Sequence, residues 1–158
     1  MEADRDILLS IAEIAAAFAG FAALAGVIGR RSTTSEQLDF ARLKSVVFAS
    51  LLVVLASLVP IVLARFELNE IVAWRIASGL AFALNLLGFI HVFRGGTYTP
   101  IAYLLEVPLN LVLIANLLLL FPAHVAALYL SFLVLLLGQA ASAFLELLAS
   151  LFPSESSN

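Results

Sequence analysis

The chain contains no cysteine, which excludes a disulfide framework, a thiolate nucleophile and a thiolate metal site. Charge is scarce too. Asp, Glu, Lys and Arg make up 12% of its 158 residues, against roughly 25% in soluble domains. His91 and His124 are the only imidazoles. No basic stripe exists to hold nucleic acid, and no nucleotide-binding or HExxH motif occurs. Asp4, Asp6 and Asp39 lie at the start or in the first polar break, so no Ser-His-Asp arrangement is supported. What the chain has in excess is apolar side chain, at 63% of residues, with a mean hydropathy of +1.12. A soluble chain this apolar could not cover its core with polar surface. Lipid removes that requirement.

A helix needs about 20 mostly apolar residues to cross the hydrocarbon core. Five stretches qualify: 7–29, 43–64, 71–93, 101–121 and 125–148. Period-2 alternation is missing, and an open sheet edge could not sit in lipid. The expected fold is therefore all-α, a polytopic transmembrane helical bundle of five spans. It forms a single domain over 1–158, with a short polar tail at 149–158. The acidic start, Met1-Glu2-Ala3-Asp4-Arg5-Asp6, lacks the positive region of a cleaved signal peptide, so the first helix is expected to be retained.

Four breaks separate the spans. In the first, Thr33 with Glu36, or Thr34 with Gln37, suits a capping box, and the second helix is expected to start near Ser35. Pro60 predicts a kink or an early end in that helix. The second break runs from Arg65 to Glu70, and Trp74 follows where an interfacial anchor would sit. Gly95 and Gly96 make the third a turn, and Pro100 suits a first helical turn. Residues 101–148 are almost uninterrupted, yet too long for one span. Phe121-Pro122-Ala123-His124 is the turn that resolves them into a tight hairpin, because Pro122 disfavours helix at Phe121. The alternative is four spans, with one of the last two segments along the surface.

Lys and Arg in short loops mark the cytoplasmic side. Arg30, Arg31, Arg42, Lys44 and Arg94 fall on one side, and Arg5, Arg65 and Arg75 on the other. The expected orientation is N-terminus outside and C-terminus cytoplasmic. The run from Ile11 to Leu24, with its Ala-Gly-Phe-Ala core, resembles the opening helix of small bacterial membrane proteins. The resemblance covers only that first helix. It implies a bacterial inner membrane and no particular activity.

Three sets of residues stand out. The first helix carries small residues every fourth position, Ala12, Ala16 and Gly20, and again Ala15, Ala19 and Ala23. This spacing lets helix backbones approach closely, as a helix-packing interface within or between subunits. Glu13, Glu106 and Glu146 are carboxylates embedded in apolar runs. A charge at mid-membrane costs at least about 2.5 kcal/mol, less near the ends, so each needs a partner, water or a proton. In the expected orientation His91, Arg94, Glu106, Asn110, Gln139, Ser142 and Glu146 share the cytoplasmic half. They could form a buried polar network or an ion pathway. Glu106 and Asn110 share a face, as do Gln139, Ser142 and Glu146. In the outer half Glu13 lies at a depth similar to Arg75, which suggests an ion pair. Asn85, with Ser78 seven positions earlier, reads as interhelical glue.

No metal site or cofactor is expected, since the two histidines fall at opposite ends of the membrane. The composition points away from an enzyme. It points to a small integral membrane protein, expected as a homo-oligomer or beside a membrane-protein partner, that forms an ion or proton channel or transport pathway. The alternative is a non-catalytic membrane subunit or scaffold of a larger complex.

Overall fold

The computed structural model describes the backbone of residues 2–29, 36–66, 68–94, 100–118 and 120–151. It describes the side chains of 4–27, 43–66, 68–90, 104, 106–118 and 120–149. Among these residues there are five α-helices and no strand: α1 (Glu2–Gly29), α2 (Glu36–Leu63), α3 (Glu70–Arg94), α4 (Pro100–Leu117) and α5 (Val125–Leu151). Short 3-10 turns follow α2 at Ala64–Phe66 and precede α5 at Pro122–His124. The second of these is the turn expected from Pro122. The first-break capping boxes and the Gly95-Gly96 turn lie outside the described residues.

Four helices are long and apolar enough to cross a membrane, over Asp4–Val27, Leu43–Phe66, Glu70–Ile90 and Pro122–Ala149. α4 is shorter, at 18 residues, or about 27 Å at 1.5 Å per residue. It stops at Leu117, four residues before the expected end, where the Leu120 amide reaches back to the Ala115 carbonyl at 3.1 Å. Large apolar side chains cover the outside of the bundle, among them Phe21, Leu55, Leu87, Val107 and Leu145. Such a surface is compatible with a membrane location.

The helix pairing follows from who touches whom. Ser78 meets Asn116 while Asn85 meets Asn110, so α3 and α4 run antiparallel. Asn116 meets Val125 while Gln139 meets Glu106, so α4 and α5 do as well. α5 packs on all four other helices, and α2 lies between α1 and α3. The core is a continuous apolar cluster that includes Leu8, Val53, Trp74, Leu113, Tyr129 and Leu133.

Two local expectations are revised. α2 passes through Pro60 and ends only at Leu63, because a side chain replaces the hydrogen bond that proline removes. Trp74 is fully buried rather than an interfacial anchor. Its ring packs at a tilt of 51° against Tyr129 with centroids 5.4 Å apart, and its indole N–H donates to Glu70 at 3.5 Å. The polar edge therefore finds a partner one turn away, so the whole ring can enter the core.

Candidate ion site at the junction of three helices

Glu106 sits on α4, two turns in from Pro100, and is 6% exposed. Three carboxamides from three helices donate to it. Asn85 on α3 donates to Oε1 at 2.6 Å. Asn110, four residues on along α4, donates to the same oxygen at 2.8 Å and to the Glu106 carbonyl at 2.9 Å. Gln139 on α5 donates to Oε2 at 3.3 Å. The Asn85 amide also approaches the Asn110 side-chain oxygen at 3.4 Å. Hydrogen bonds to a carboxylate are about twice as strong as neutral ones, and more so in a low-dielectric interior. The cluster thus joins α3, α4 and α5 at one level. Two residues beyond Glu106, Pro108 lacks an N–H, so the Leu104 carbonyl loses its helical donor on the exposed face of α4 that carries Leu104, Val107 and Leu111.

Of the residues expected in this half, Glu106, Asn110 and Gln139 come together. Ser142 instead donates to the carbonyl of Gln139 at 2.8 Å, within its own helix. Glu146 is half-buried further along α5, and no hydrogen bond or ion pair holds it among the described residues. The side chains of His91 and Arg94 lie outside the described ones. Asn85 completes the cluster although its sequence context suggests only glue.

A second polar station lies further along the α3–α4 seam. Asn116, 1% exposed, donates to the Ser78 hydroxyl at 2.8 Å and to the Val125 carbonyl at 3.0 Å. Ser78 in turn donates to the Trp74 carbonyl at 2.8 Å. The side-chain oxygen of Asn116 is buried with no donor. Sequence reasoning passed over Asn116; its signal was an amide near the end of an otherwise apolar helix. Ser78 and Asn85 are seven residues apart on one face, which separates the two stations by about 10 Å.

Glu13 and Arg75 are both exposed on the bundle's perimeter, and no ion pair joins them among the described residues. Within α1 the small residues divide. Ala12 and Ala15 are buried, Ala19 is half-buried, and Ala16, Gly20 and Ala23 are exposed. Among the described residues no cluster of His, Cys, Asp and Glu could hold a metal ion. Compared with protein families, curated proteins and solved structures, the chain finds no match.

Proposed function

We propose that this chain is a five-span membrane protein that passes protons or small monovalent cations along the α3–α4–α5 junction, with Glu106 as the ionisable station. The observation that carries the reading is the buried carboxylate ringed by three carboxamides. Each amide that now offers an N–H to Glu106 presents a carbonyl oxygen when it turns over. One carboxylate and several neutral oxygens suit a proton or a small hard cation; divalent sites use more carboxylates. The second station at Ser78 and Asn116 continues the polar seam. The Lys and Arg distribution supports a cytoplasmic side at the Glu106 end, with the N-terminus outside.

A ligand that binds only the folded state raises its stability by mass action. The melting temperature of the detergent-purified chain should therefore depend on pH or on the concentration of sodium or potassium. The dependence should vanish in Glu106→Gln. A wild-type chain whose melting ignores pH and all common monovalent cations would end the reading. The non-catalytic subunit reading draws support from the exposed small residues of α1. It is favoured if mild detergent extraction recovers a stoichiometric partner instead.

A further inference from the structure

We propose that Glu106 exchanges its ion with water at one end of the bundle only, the end where α4 begins and α5 finishes, and that Glu146 is the entry carboxylate. The inference rests on the reading of Glu106 as the ionisable station and adds its route of access.

α4 and α5 are antiparallel, so the first turn of α4 and the last turns of α5 share an end. From that end to Glu106, α5 offers a row of polar side chains. Gln139, Ser142 and Glu146 follow one another at three and four residues, which places them on one face. Hydrogen bonds join the row to the site. Gln139 donates to Glu106 at 3.3 Å, and Ser142 donates to the Gln139 carbonyl at 2.8 Å. Glu146 comes one turn further on, where side chains at i and i+4 are neighbours, about 6 Å apart at Cβ. All three are half-buried, and Glu146 has no hydrogen bond or ion pair among the described residues. It lies about 8 Å before Leu151, the last residue of α5, and a carboxylate is less costly near a span end, within reach of water. A negative charge there also concentrates cations at the mouth of the row.

The opposite direction is closed. On α4, Leu109 and Leu113 fill the turns between Glu106 and Asn116 on the same face, and both are 0% exposed. Ala81 on α3 and Phe132 and Leu136 on α5 are buried between the same two stations. None of these side chains carries a polar atom to replace an ion's water, so passage requires the layer to part. One side is lined with half-buried polar groups and the other is sealed by apolar ones. This is the arrangement of a carrier with a closed far side, not of a continuous pore.

The absence of native cysteine allows single cysteines to report where water reaches. A charged, membrane-impermeant thiol reagent attacks the thiolate, which forms only where water is present. Vesicles are sorted by the side that carries a tag at Asn158. From that side, Ser142→Cys should label about tenfold or more faster than Leu113→Cys or Leu145→Cys; from the other side none should label. Leu145 is next to Glu146 but 64% exposed on the outside of the bundle, so it controls for depth. In flux measurements with the ion presented from the tag side, Glu146→Gln should raise the concentration at half-maximal rate by roughly threefold or more. Glu146→Asp, which keeps the charge, should stay near wild type. Ser142→Cys that remains unlabelled, labels from the other side, or labels no faster than Leu145→Cys overturns the proposal, as does an unshifted Glu146→Gln. Labelling needs no flux. A labelled Ser142→Cys in a chain that carries no ion supports one-sided access and sinks the ion role of Glu106, whereas flux with an unlabelled Ser142→Cys sinks the route alone.

Discussion

The Tyr129 hydroxyl donates to the Ala56 carbonyl at 2.8 Å, and Ala56 is the residue whose helical donor Pro60 removes. Ala56 lies near the middle of Leu43–Phe66, a stretch long and apolar enough to cross a membrane, and lipid offers nothing to an orphaned carbonyl. A phenol from α5 supplies the missing donor, and α2 continues. Pro108 shows the other solution. Its orphaned carbonyl, at Leu104, is one turn from the end of α4, within about 6 Å of the helix terminus.

This relationship sets a double-mutant cycle. Tyr129→Phe leaves the Ala56 carbonyl unsatisfied and should cost about 1 kcal/mol. In a Pro60→Ala chain the restored N–H makes the phenol redundant, so the same substitution should cost clearly less. Unfolding in mixed micelles measures both. Equal costs in the two backgrounds would show that Tyr129 contributes only through its ring.

Asn116 joins α3 to the first turn of α5, through Ser78 and the Val125 carbonyl. Asn116→Ala should destabilise the chain more than Ser78→Ala does. Ser78 keeps its place without the amide, because its hydroxyl still donates to Trp74 within α3. Hydrogen exchange should rise at the α4–α5 turn in Asn116→Ala. Unchanged exchange there would remove Asn116 as the tie.

The number of spans is read by the chain ends. Five spans put reporters fused at Met1 and Asn158 on opposite sides of the membrane, and the Lys and Arg distribution places the Asn158 reporter in the cytoplasm. Reporters on the same side would place α4 along the surface. The antiparallel contacts of α4 with both α3 and α5 favour the crossing.

The five helices were legible because long apolar runs and the breaks at Pro122 and before Glu36 are local signals. The Glu106–Asn110 pair was legible too, since four residues make one helical turn. Asn85 was not, because its meeting with Glu106 depends on the register between α3 and α4, and no sequence spacing encodes that. Nor was the outward face of α1. In lipid the outside of a bundle is as apolar as its inside, so the usual contrast between faces disappears. Ala15 and Ala16 look alike in sequence; one is buried and the other exposed. Trp74 misled for a related reason: an aromatic near a span end fits an interface or a core equally well, and only Tyr129 decides between them.

Flux through reconstituted liposomes tests the role of Glu106 most directly. With an internal pH-sensitive dye and imposed proton, sodium and potassium gradients, the wild-type chain should carry at least one of these ions above the leak of protein-free liposomes. Glu106→Gln should return that flux to the leak, and Glu146→Gln, which lies outside the cluster, should lower it less. Wild-type flux no greater than the leak for all three ions, or full flux in Glu106→Gln, would contradict the account.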